Sequence, residues 1–249
     1  MEYYGAIFLF LLLWAVVSYA GIVSYDIIPS ISQVGSYLYR NAVSGIIFSH
    51  IIASLGRSLS GFLTSLLLGI PLGILMARFQ FLDRFTSPLM ATTYPIPKVA
   101  LLPLFILWLG IGFKSKFCLV ILGCVYPIVM NTYQGVKMVD KFWIWSAQSM
   151  GATKWRLITR VVFPATLPYI FVGARISLAI SFLILFGVEM IGARHGLGAL
   201  IINAMEEHRP DIIFAAAFCI AGLGFSFDRL LLFVRMKLLL WRKEEFILT

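Results

Sequence analysis

Residues 137–168 read KMVDKFWIWSAQSMGATKWRLITRVVFPATLP and lie between two long apolar runs, Phe117–Val136 and Tyr169–Ile191. The pattern predicts two short helices separated by a turn at Gly151. The Thr153 hydroxyl is placed to cap the second helix, and Pro164 is expected to end it. Trp155, Ile158 and Val162 recur at spacings of three and four, which puts them on one face, with Lys154 and Arg160 elsewhere. A compact helical pair with few acidic residues suits docking on another protein. The competing reading is an amphipathic loop lying on a lipid surface.

Outward from this loop the chain is apolar. Of 249 residues 61% are hydrophobic and only 12% charged, with a mean hydropathy of +0.95. Soluble domains average about 25% charged residues, so most of this exterior must face lipid. Six apolar stretches are read: Gly5–Val23, Leu59–Met76, a broken stretch Thr86–Gly112, Phe117–Val136, Tyr169–Ile191 and Ile212–Val234. Only helices and closed barrels satisfy the backbone in lipid. Continuous runs without two-residue alternation predict an all-α transmembrane fold of about six spanning helices. Gly69 and Gly73 form a small-xxx-small pair that lets two helix backbones approach closely.

The net charge of +9 follows the spans and suggests no nucleic acid, because no basic cluster is interleaved with aromatics. With the N-terminus cytoplasmic, the inner loops and tail hold Arg78, Arg84, Lys137, Lys141, Lys154, Arg156, Arg160, Arg235, Lys237, Arg242 and Lys243. The outer side then holds Arg40, Lys114, Lys116, Arg194 and Arg209. Eleven against five predicts both termini inside. No basic region precedes the first run, which reads as a retained span rather than a signal peptide. Cys118, Cys124 and Cys219 read as packing residues. His50, His195 and His208 fall in predicted outer loops and read as ordinary loop residues rather than metal ligands. The outer segment from Ser24 to Ser54 is open to two readings, an amphipathic helix along the surface or a contact for a partner protein.

The third stretch carries Pro88, Pro95, Pro97 and Pro103, with Lys98 near its middle. Proline removes a backbone donor and kinks helices, so Tyr94-Pro-Ile-Pro-Lys98 is expected to be a break. Such a break at membrane depth either lines a translocation path or is a bend whose lysine snorkels to an interface. Tyr94, Pro95, Pro97 and Lys98 are therefore candidate pathway or gate residues. So are Arg175, about two turns into the fifth stretch, and Glu189 near its outer end. For those two the alternative is a packing pair or interfacial anchor. Arg57, just before the second stretch, reads as an interfacial anchor. Asp228 and Arg229 are adjacent, point apart and are not expected to pair with each other.

The 137–168 loop also resembles the "EAA" loop of binding-protein-dependent ABC importer permeases: Glu-Ala-Ala, three residues, Gly, nine residues, Ile-x-Leu-Pro. Ala147, Gly151 and Pro164 match, Val161 and Phe163 are apolar substitutes, and Trp145 and Ser146 stand at the glutamate and first alanine positions. The segments Leu102–Gly112, Pro168–Leu178 and Glu189–Gly198 resemble the family too, so the resemblance covers roughly residues 57–205 and leans towards the nitrate, taurine and alkanesulfonate branch.

The resemblance implies a type I permease fold in a single transmembrane domain, 1–249. Residues 1–56 would hold the first span and outer segment, 57–205 the permease core, and 206–249 the last span and cytoplasmic tail. It implies an ATPase-coupling loop of Trp145, Ser146, Ala147, Gln148, Ser149, Met150, Gly151, Ala152, Thr153 and Pro164, with Ala147–Thr153 as the coupling helix. Expected partners are a cytoplasmic ABC ATPase dimer, a second permease copy, a periplasmic or lipid-anchored substrate-binding protein and the bilayer of a bacterial inner membrane. No phosphate-cradling Gly-x-x-x-x-Gly-Lys-Ser/Thr occurs. The chain is thus expected to be no enzyme and to hold no cofactor, with ATP and Mg on the partner ATPase. An ion-gradient-driven secondary transporter is the alternative, and it would be expected to show inverted repeats.

Overall fold

The computed structural model describes residues 2–21 and 23–239. Arg242 and Lys243 of the predicted inner tail lie outside the described residues. The regular structure among those described is helical: α1 (Glu2–Tyr19), α2 (Ile31–Val43), α3 (Ile46–Arg78), α4 (Gln80–Thr93), α5 (Leu102–Leu109), α6 (Phe113–Lys137), α7 (Lys141–Ser149), α8 (Lys154–Leu157), α9 (Phe163–Glu189), α10 (Leu197–Glu206) and α11 (Pro210–Leu238). Among the described residues, four helical stretches are long and apolar enough to cross a membrane: α3, α6, Lys154–Glu189 and α11. A fifth follows if α4 and Lys98–Leu109, bent by 91°, count as one broken span. The first predicted stretch is α1, whose 18 residues sit near the lower limit of about 17 for crossing hydrocarbon.

The chain divides into two compact units, Met1–Gly56 with Leu185–Leu223, and Arg57–Ile184 with Gly224–Thr249. In the first, the core forms around Trp14. Its indole Nε1–H donates to the Pro29 carbonyl at 3.1 Å, and its ring stacks on Phe214 and Phe218 with centroids 5.6 and 5.4 Å away. Val34 of α2 and Ala215 of α11 close this core. α2 begins with a reciprocal cap: the Ser30 hydroxyl accepts from the Gln33 amide while the Gln33 side chain accepts from the Ser30 amide. The ambiguous Ser24–Ser54 segment therefore holds an independent helix, α2, and the first turns of α3.

In the second unit α6 is the central helix, buried along both sides. A Cβ on Gly69 would lie 2.8 Å from Ile128 Cγ2, and one on Gly73 2.7 Å from the Val129 carbonyl, so the predicted glycine pair does set a close backbone approach of α3 to α6. On the other side α9 is joined to α6 by a reciprocal pair. The Ser177 hydroxyl donates to the Cys124 carbonyl at 2.7 Å, and the Cys124 thiol to the Ser177 carbonyl at 3.2 Å. Cys124 is thus the packing residue expected.

The start of the second stretch and the segment after the fifth differ from expectation. The second stretch begins at Ile46 rather than Leu59, so Arg57 lies inside α3, not before it, and His50 lies in the first turns of α3, not in a loop. α10 was not foreseen. Its ten residues are too short to span, and they follow a turn with a positive-φ glycine at each end, Gly192 and Gly196.

Candidate functional site

The 137–168 connection is built by a specific helix stop. α7 starts at Asp140, whose carboxylate accepts from the Phe142 amide at 2.8 Å. It ends where Gly151 takes φ +77°. The Gly151 amide donates to Gln148 O at 2.9 Å and the Ala152 amide reaches back to Ala147 O at 3.0 Å. These are the two bonds of a Schellman stop, which needs a left-handed residue after the cap and brings the residues at its two ends together. Ala147 and Ala152 accordingly pack with Val139, Leu157 and Val162. The family's alanine and glycine are thereby explained as two parts of one turn. Ala147–Thr153 is not a helix of its own; it is the last turn of α7 and the stop that follows.

Thr153 caps α8 as expected, accepting from the Arg156 amide at 3.4 Å. Pro164 does not end the helix. The backbone widens to a π turn over Ile158–Val162 and continues as α9. A proline cannot donate to the carbonyl four residues earlier and its ring crowds that carbonyl. A wide turn just upstream absorbs both effects. The expected apolar face also changes: Val162 is buried and Ile158 partly so, but Trp155 is 73% exposed, and Leu157 takes its place inside. Trp145 (62% exposed) and Met150 (79%) stand outward beside the stop, with Phe142 and Trp143 also exposed.

The expected break is present. α4 ends at Thr93, and the chain turns before Lys98–Leu101 forms a short 3₁₀ segment leading into α5, where Pro103 occupies the proline-tolerant first turn. Tyr94 stacks on Tyr126 of α6 at 4.1 Å between centroids, and Pro95 and Pro97 are exposed. Lys98 Nζ donates to the carbonyls of Thr93, Tyr94 and Ile96, each at 2.8 Å. An ammonium has three N–H donors, and here all three close the open C-terminus of α4. We expect Lys98→Met to lower the melting temperature of the purified protein by about 2–8 °C, the equivalent of about 1–2 kcal/mol. An unchanged melting temperature with reduced uptake would put Lys98 in the pathway instead of the scaffold.

Arg175 of α9 makes a two-pronged ion pair with Asp228 of α11, Nε to Oδ1 at 2.6 Å and Nη2 to Oδ2 at 2.9 Å. The sequence reading kept Asp228 from its neighbour but did not identify this partner, 53 residues away. Glu189 is fully buried. Its Oε2 accepts from the Ser54 hydroxyl at 2.7 Å and from the Gly198 amide at 3.2 Å, while Ser54 Oγ accepts from the Leu197 amide at 2.9 Å. His50 Nδ1 lies 2.9 Å from the Gly196 carbonyl. This network ties α3, α9 and the start of α10 together. At the start of α11, Arg209 pairs with Asp211 at 2.9 and 2.7 Å, and that hydrogen bonding holds the guanidinium above its usual range. The Tyr25 phenol beside them is pushed up by burial first and then by Asp211.

Among the described residues, apolar helices long enough to span thus stand beside one broken span and one connection folded into a compact turn with exposed aromatics. The model of binding-protein-dependent transport system inner membrane components matches residues 69–238, and the chain belongs to that family. It is an ABC importer permease, and this membership implies an ATPase and a substrate-binding protein as partners in an inner-membrane assembly. Its relatives include the aliphatic sulfonates transport permease protein SsuC of Bacillus subtilis, 31% identical over 93% of this chain and 84% of that protein. Another is the taurine transport system permease protein TauC of Escherichia coli, 31% identical over 96% of this chain and 89% of that one. Among solved structures, a chain of the MetNI methionine ABC transporter in an inward-facing conformation has the same fold. Its TM-score is 0.59 at 19% identity, covering 74% of this chain and 94% of that chain.

Proposed function

We propose that this chain forms the pathway for import of a small anionic solute of the sulfonate class, driven by ATP hydrolysed on a separate subunit. The observation that carries the reading is the coupling segment: a Schellman-locked stop with Trp145 and Met150 exposed beside it. Exposed aromatics and methionine clustered on one connection suit a protein interface. The sequence carries no phosphate-binding motif, which supports ATP and Mg being held by the partner. The solute class rests on the relatives named for sulfonates and taurine. In this reading two copies of the chain pair, both termini are cytoplasmic, and an ATPase dimer grips the two coupling segments while a binding protein docks on the other side. Nucleotide and binding protein favour different states, which is what makes the cycle directional.

The test is affinity purification of the tagged chain in mild detergent, with ATPase and sulfonate-uptake assays on the recovered complex. A stoichiometric subunit bearing a phosphate-binding loop, with vanadate-sensitive ATPase activity and ATP-dependent uptake, is expected. Recovery of the chain alone, active in ion-gradient-driven flux, would overturn the reading. A Trp145→Glu/Met150→Glu variant is expected to recover at least tenfold less ATPase, since a truncated aromatic anchor typically costs about 2 kcal/mol or more of binding energy.

A further inference from the structure

Arg175 lies twelve residues after Phe163 and fourteen before Glu189, and Asp228 lies ten residues before Leu238. At about 1.5 Å per residue, both groups are about 15 Å or more from any end of their helices. A charged pair at that depth, with the Arg175 side chain 54% exposed, is costly against hydrocarbon and suits a water-filled or ligand-filled cleft. Such a cleft is present, about 260 Å³, lined by Arg175 and Arg235 and otherwise by apolar side chains including Phe171, Ile176, Leu231 and Leu232. The pockets that hold drug-sized ligands run to about 300–1,000 Å³, so this one suits a smaller molecule.

The guanidinium geometry decides what it would hold. Asp228 takes the Nε–Nη2 edge of Arg175, which uses two of the five N–H donors. The Nη1–Nη2 edge has no other partner among the described residues, and a planar fork of that kind matches two oxygens of an oxyanion. Arg235 adds a second guanidinium to the lining of the cleft. From Arg175 towards the apolar walls the cleft therefore offers a charged end and a greasy end.

We infer that the α9–α11 cleft is a station for an oxyanion-headed solute with a short alkyl body. The head binds the free edge of Arg175, and Asp228 acts as a positioning residue that fixes the fork and tempers its charge. This rests on the importer reading and names a site within it. A phospholipid phosphate offers the same head chemistry, but it sits at headgroup level rather than at this depth.

The experiment uses the full chain in phosphatidylcholine nanodiscs with trifluoromethanesulfonate as a fluorine NMR probe. Wild-type protein is expected to broaden the probe line, and unlabelled ethanesulfonate to reverse the broadening. Arg175→Gln should abolish the effect, Arg175→Lys should weaken binding about tenfold through loss of the fork, and Asp228→Asn should tighten it about threefold or more. Opposite signs for the two partners are the signature, because a merely structural ion pair would leave probe binding unmoved in both. No broadening by wild type, equal broadening by wild type and Arg175→Gln, or weaker binding by Asp228→Asn would overturn the inference. So would displacement of the probe by phosphatidylglycerol in the disc, which would make this a lipid site. None of these outcomes touches the importer reading, which stands or falls on recovery of the ATPase.

Discussion

A Gly151→Trp permease is expected to fold and reach the membrane, yet to support less than a tenth of wild-type ATP-driven uptake. Gly151 holds φ +77° with open space where a Cβ would be added. The local cost is backbone strain of about 1–2 kcal/mol, which is small against a total stability of about 5–15 kcal/mol. The buried cluster of Val139, Ala147, Leu157 and Val162 is untouched. What changes is the surface: an indole stands on the stop beside Met150, where the ATPase is proposed to seat. Gly151→Asn is the matching control, because asparagine tolerates the left-handed region and adds little bulk. It should retain most of the uptake. Reconstitution in proteoliposomes with the ATPase and binding protein reads both variants. Normal uptake by Gly151→Trp would remove the coupling role from this turn.

The second large effect is structural. Gly196→Ala should yield almost no monodisperse protein in mild detergent, as read by size-exclusion chromatography. Gly196 holds φ +136° and ψ 164°, a region essentially reserved for glycine. An added Cβ would also collide with the carboxylate of Glu189. Strain and collision together exceed about 4 kcal/mol, the range in which single substitutions unfold a marginally stable chain. Glu189→Gln, by contrast, keeps the volume and an acceptor for Ser54 and the Gly198 amide, and should cost less than Glu189→Leu. Glu189→Leu should cost about 1–3 kcal/mol for each buried donor left unmade. Full uptake by Glu189→Gln would mark Glu189 as scaffold. Lost uptake with an unchanged melting temperature would return it to the pathway.

These cases also show where the sequence was readable. The spans were legible because apolar runs of such length have few other uses, and the break because prolines at 88, 95, 97 and 103 cannot all sit in one straight helix. Gly151 was legible as a turn residue, and Ala147 only through its match to the family motif. The start of α3 was not. Ser54 and Ser58 are polar yet fully buried, bonded to Glu189 and Ser181 respectively, whereas a hydropathy reading takes polarity as contact with water. Such partners are more than 100 residues apart in the chain, beyond the reach of any local pattern. Arg175 and Asp228, 53 residues apart, are beyond that reach as well. Trp155 was misplaced for a different reason: a single 3.6-residue period was drawn through a segment whose backbone changes pitch at Ile158.

That change of pitch has a mechanical side. A π turn stores one residue more than an α-turn needs. Taking it up or paying it out turns everything beyond it by about 100° about the helix axis. The stored residue lies between the stop at Gly151 and the mid-helix guanidinium of Arg175, near the start of the 36-residue stretch Lys154–Glu189. In the proposed cycle, torque from the ATPase would meet this wide turn before it meets the rest of the shaft.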